Sequence, residues 1–169
     1  MKRILEIVAP SGYEPEIGAA IWMLDDTRRR TLELLEDLPE EFVDQPVNEN
    51  TIGTILYHIA LIEADWLYSE ILEQPISDDV MDLFPDQVRD QDGFLSKIKG
   101  FSLEEHLFRL SEIRKILKLN LSGMTLEDFH RKRILDAYEV SPQWVLHHLS
   151  QHEAEHRGEL GSIITLIKK

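Results

Sequence analysis

The final segment of the chain, Ser141–Lys169, carries apolar residues at helical spacing from one end to the other and reads as one amphipathic helix. Ser141 suits an N-cap and Pro142 the first helical position. At 100° per residue, Val145, Leu149, Leu160, Ile163 and Ile167 fall on one stripe. Three earlier segments read the same way, with apolar residues at i, i+3, i+4 and i+7. The first spans about Glu16–Leu38, with Ile17, Ala20, Ile21, Leu24, Thr31, Leu35 and Leu38 aligned. The second spans about Thr51–Leu72, with Ile52, Ile55, Leu56, Ile59, Ile62, Trp66 and Leu67 aligned. The third spans about Leu103–Leu119, with Leu103, Leu107, Leu110, Ile113 and Leu117 aligned.

Between these patterns the chain is punctuated. Pro39, Pro46 and Asn48–Asn50 separate the first two helices. Glu73–Ser102, with Pro75, Pro85, Gly93 and Gly100, is longer than most loops and can run the length of a bundle. Helices two and three can then lie parallel, joined by a crossover. Gly123–Val140 reads as irregular, with an extended stretch at RILDAYEV. The expected fold is all-α: a four-helix bundle with a long crossover connection, forming a single domain over residues 1–169.

Charge and cysteine content narrow the function. Thirty-two acidic residues against 18 basic ones give a net charge of −14. That balance disfavours nucleic acid and anionic membrane as partners, because both are polyanions. Its plain reading is a solvated, acidic surface. The absence of Cys excludes thiolate metal sites, disulfides and cysteine nucleophiles, so any metal must be held by His, Asp or Glu. No apolar run approaches a membrane span. The opening residues are basic, but Glu6 interrupts a short apolar stretch, so a signal peptide is not expected and a cytoplasmic location is.

His152 and His156 fall in the middle of the apolar stripe of the last helix, where Leu or Val would be ordinary. Two imidazoles four residues apart can aim their ring nitrogens at one ion. Leaving both buried without partners would cost a few kcal/mol each. A third ligand is expected from a facing helix, and His58 on helix two, beside Ile55 and Ile62, fits best. His106 lies near the inward face of helix three and can line a pocket. His148, one turn before His152, suits a supporting role, while His147 and His130 read as solvent-facing.

His152–His156 also matches the zinc-protease string H-E-x-x-H. The longer form of that motif needs Gly and His where this chain has Glu159 and Ser162, and few residues remain downstream for another ligand. A peptidase is therefore not the expected reading. Glu63 and Arg28 each sit within an apolar stripe. A buried carboxylate needs a partner, so the two are expected to pair, or Arg28 binds an anionic substrate instead.

NTIGTILYHIALIEADWL together with VLHHLSQHEAEHRGEL resembles the DinB/YfiT-like superfamily of bacterial four-helix proteins. The residues that carry the resemblance are His58, Glu63 and Trp66, then His152, His156, Gly158, Glu159 and Leu160. The resemblance extends over nearly the whole chain. It implies a divalent metal, commonly nickel, zinc or iron, on the three histidines with positions open to water. It also implies frequent homodimers and, in some members, a low-molecular-weight thiol as cosubstrate. Mycothiol-dependent isomerases and bacillithiol transferases are examples. The family usually has Gln where this chain has Glu159. That carboxylate is a fourth ligand, an acceptor for an imidazole N–H, a general base, or an edge residue reaching solvent.

Three functions follow. One is a metal-dependent enzyme acting on a small molecule by thiol transfer or metal-assisted hydrolysis, with Glu159 as the candidate catalytic residue. Another is a non-catalytic metal-binding or stress-related dimer. The last is a helical interaction module without metal. Trp22 and Trp144, off or at the edge of their inward stripes, are candidate dimer-contact residues.

Overall fold

The computed structural model describes residues 5–47 and 49–169. The basic opening weighed for a leader begins outside the described residues, as does Asn48 of the break between the first two helices. The described chain is mostly helical. Four long helices carry it: α1 (Pro15–Leu35), α2 (Ile52–Trp66), α4 (Leu103–Leu121) and α6 (Pro142–Ile167). Two short helices, α3 (Asp78–Met81) and α5 (Leu126–His130), lie in the connections. A minimal antiparallel hairpin, β1 (Arg133–Ile134) with β2 (Glu139–Val140), precedes α6.

The helix starts follow from local chemistry. Ser141 Oγ accepts the Trp144 N–H and Pro142 opens α6. Thr51 caps α2 through the Thr54 N–H, and Ser102 with Glu105 forms a reciprocal capping box on α4. Helix α1 stops at Leu35, three residues short of the expected end. Glu36 turns extended and Asp37 takes a left-handed φ of 56°. The last turn of the second helical segment, Leu67–Ile71, is a π turn closed by the Leu72 N–H on the Leu67 carbonyl.

Side-chain bonds fix the directions of the long helices. Gly53 meets His106 and Glu63 meets Arg114, so α2 and α4 run parallel. Gln143 meets Glu16, Ser150 meets Thr27 and Gly161 meets Leu34, so α1 and α6 run parallel. Asn50 meets Glu159 and Trp66 packs near Trp144, so α2 and α6 are antiparallel. The long connection from α2 to α4 is therefore a crossover. Tyr57 holds it by bonding both the N–H and the carbonyl of Asp86, Thr54 accepts the Ile98 N–H, and Asp44 accepts the Gly100 N–H.

Helix α2 is buried nearly all round, and Ile17, Leu24, Ile55, Leu56, Ile113, Leu117, Val145 and Leu160 belong to one apolar core. In α4 the buried face is displaced from the expected one. Leu103 and Leu107 are only partly buried, whereas His106, Arg109 and Arg114 are buried. Arg109 is accommodated because its Nε donates to the Leu83 carbonyl and its guanidinium lies 4.1 Å from the Phe101 ring centroid. No helix among the described residues is long and apolar enough to cross a membrane.

Candidate metal centre

Three imidazoles converge on the seam between α2 and α6. His58 projects from α2; His152 and His156 project from successive turns of α6. One ring nitrogen from each lies within 4.8 Å of the others, and among the described residues this is the group of His and carboxylate side chains that converges in this way. The Nε2 atoms of His58 and His152 stand 3.1 Å apart. Two nitrogens held at about 2.1 Å from one ion, at angles between octahedral and tetrahedral, are separated by about 3.0–3.4 Å. The pair, hydrogen-bonded to each other here, has a spacing that a shared ion would also accept.

The electrostatics agree with that spacing. Burial, then neighbouring His156 and Arg89, push His58 down to about 4. Burial, then His156, His58 and His148, push His152 down to about 3. Both rings are thus neutral at pH 7, which is the ligating form. His156 Nδ1 lies 3.1 Å from Glu159 Oε2, and Glu159 Oε1 accepts from Asn50 Nδ2 at 2.9 Å. The carboxylate fixes the tautomer of His156 with the proton on Nδ1, leaving Nε2 as the ring nitrogen free to ligate. His58 Nδ1 is buried and has no protein hydrogen-bond partner, so packing rather than an acceptor orients that ring.

The histidines do not occupy the centre of the α6 core stripe. That centre belongs to Leu149, Glu153 and Leu160, and His152 and His156 are half-buried at the edge facing α2. The displacement leaves the cluster reachable from outside. Glu153, one residue from His152, is 1% exposed. Its carboxylate accepts from Arg28 Nε at 2.7 Å and from Arg114 Nη2 at 3.2 Å. It is unavailable as the general base of an H-E-x-x-H peptidase.

Arg28 and Glu63 do pair, at 2.9 Å, but within a larger unit. Arg114 donates to both Glu63 oxygens, at 2.6 and 3.0 Å. Two arginines and two carboxylates, one from each long helix, thus form a closed buried quartet. Burial alone would raise the Glu63 carboxyl, but Arg114 and Arg28 hold it below the usual range. With its donors used on Glu153, Glu63 and the Leu110 carbonyl, Arg28 is committed to structure rather than to a substrate anion. Sequence reasoning missed Arg114 and Glu153. The available signal was four buried-phase charges of balanced sign.

The remaining histidines separate. His148 stacks face to face with Trp144 and lies beside His152, with ring centroids 6.0 Å apart. His147 is exposed, and the exposed His130 pairs with Glu16. His106 is fully buried, as its face implied, but it is not among the converging histidines. It packs against Phe101 and over Gly53, where an added Cβ would lie 2.9 Å from its Nε2.

A family model of the DinB superfamily matches residues 23–160. The chain belongs to the DinB superfamily. The matched span contains all three clustered histidines and Glu159, and runs from within α1 into α6. No curated protein matches the chain. In this DinB-superfamily member three histidines converge closely enough to hold a divalent metal, with a carboxylate at 159 bonded to one of them.

Proposed function

We propose that His58, His152 and His156 hold one divalent ion, nickel, zinc or iron, and that the protein is a metal-dependent enzyme acting on a small molecule. The observation that carries this reading is the convergence of three imidazole nitrogens, two of them on rings neutral at pH 7, on a seam that reaches the surface. When bound, a divalent ion with an open position supplies Lewis acidity, which makes a nucleophile of a water or a thiol near neutral pH. With no Cys in the chain, a thiol enters as cosubstrate.

The chain's own residues then have defined parts. Glu159 orients His156 and, at the edge of the site, can take a proton released from the nucleophile. Asn50 holds Glu159 through its other oxygen. The Arg28–Glu63–Arg114–Glu153 quartet fixes the register of α2 against α6 and so the spacing of the donors. In thiol transfer the sulfur forms a bond to the electrophilic carbon, the leaving group departs with its electron pair, and the thiol proton passes to the carboxylate or solvent.

The setting in this reading is a four-helix bundle of DinB/YfiT type forming a single domain over residues 1–169, located in the cytoplasm and paired as a homodimer. Parallel α2 and α4 joined by the crossover support the first part. Trp144, 49% exposed, supports the last. The test is thiol consumption with a small electrophile by metal-loaded protein. Loaded parent should exceed both metal-stripped parent and His58→Ala. Equal rates in all three would remove thiol transfer as the reaction.

A further inference from the structure

The seam between α2 and α6 continues beyond the histidines as a run of rings. His148 follows His152, and it lies 5.1 Å from Trp144, the two ring planes nearly parallel at 9°, and 4.5 Å from Trp66. Trp66 in turn lies 5.6 Å from Trp144 and 6.2 Å from Tyr138, the latter at 23°. Trp66, Tyr138 and Trp144 wall a cavity of about 460 Å³ at the end of this run. A volume of that size lies in the range of small-molecule sites.

The charged groups of the wall are already paired. Lys132 Nζ bonds Glu139 at 2.8 Å, and His130 bonds Glu16 at 2.9 Å. The Tyr138 hydroxyl donates to buried Glu70 at 2.8 Å. Burial and that bond push Tyr138 up to about 12, so its hydroxyl remains a donor throughout the neutral range. A charged ligand would find no free counter-charge in this wall. Trp66 immediately precedes the π turn and Glu70 lies within it. Such turns are rare and concentrate at functional sites.

We propose that this cavity, separate from the histidine cluster, binds a planar, uncharged aromatic ring. Flat walls favour a flat ligand, because offset stacking rewards parallel planes. Trp and Tyr walls lose little conformational freedom when a ring settles against them.

The test is titration of purified protein with 2-naphthol, an uncharged planar ring, followed by calorimetry, with metal content measured on each sample. Trp144 also borders a neighbouring apolar groove with Met23 and Phe129, so the deciding comparison is Tyr138→Ala against Met23→Ala. Tyr138→Ala and Trp144→Ala should each weaken binding roughly tenfold, with Met23→Ala unchanged, as expected for loss of one stacked wall. No binding by the parent at millimolar probe, equal affinity in Tyr138→Ala and parent, or a loss in Met23→Ala alone would overturn the proposal. Ring binding by a protein that takes up no metal would keep the cavity assignment and remove the metal reading. One ion per chain with no ring binding would do the reverse.

Discussion

At the scale of single residues, the site is set by what each imidazole touches. Glu159 is the acceptor that holds His156, and its bond to Asn50 keeps it there. Glu159→Gln keeps the shape and an acceptor oxygen, so metal should be retained. Glu159→Ala removes the acceptor and should lower metal affinity ~10- to 100-fold, measured by competition with a chelator. Gly53 shows the same dependence on close contact. Its missing Cβ makes room for His106 Nε2, Val43 and Asp44. Gly53→Ala should cost about 1–3 kcal/mol in urea unfolding, because His106 is fully buried and cannot swing away cheaply. The His58, His152 and His156 positions were legible in the sequence because polar residues on apolar helix faces are conspicuous. The role of Glu153 was not, because a stripe centred on the histidines leaves it off centre and its partners lie 125 and 39 residues away.

At the scale of elements, the four long helices could be read from periodicity, and the crossover from the length of Glu73–Ser102. What was read only in part was the inward face of α4. In α4 the true core face includes His106, whose inward position the pattern shows, and also Arg109 and Arg114, which a hydrophobic pattern assigns to solvent. The π turn at Leu67–Ile71 likewise leaves no periodic signature, and the β1–β2 hairpin is too short to show one. Arg133 packs there almost fully buried, bonded to the carbonyls of Ile71, Asp128 and Arg131. The Arg28–Glu63–Arg114–Glu153 quartet joins all four long helices, and removing one partner strands a buried charge. Arg114→Ala should destabilise by about 3–5 kcal/mol in denaturant titration. A value within 0.5 kcal/mol of the parent, as is typical of a surface substitution, would mean that the quartet does not bind the helices together.

At the scale of the whole molecule, buried neutral histidines link stability to pH. His58 and His106 are pushed down to about 4 and His152 to about 3, chiefly by burial. The unfolded chain takes up protons at these side chains below about 6.5, while the folded chain does not until far lower. Their stabilising contribution is therefore complete above about pH 6.5 and is lost as pH falls towards 4 and then 3. For metal-free protein the urea midpoint should drop steadily over that interval. A midpoint flat from pH 7 to 4 would contradict the burial of these rings. Metal bound only by the folded state should raise the midpoint at pH 7.

The central claim is that three histidines from two helices hold one ion, and metal content tests it most directly. Elemental analysis of purified, metal-loaded protein should give about one divalent ion per chain in the parent, as expected when three imidazoles share a single centre. The His152→Ala/His156→Ala double variant, folded by circular dichroism, should give almost none. Equal metal content in parent and double variant would contradict the account.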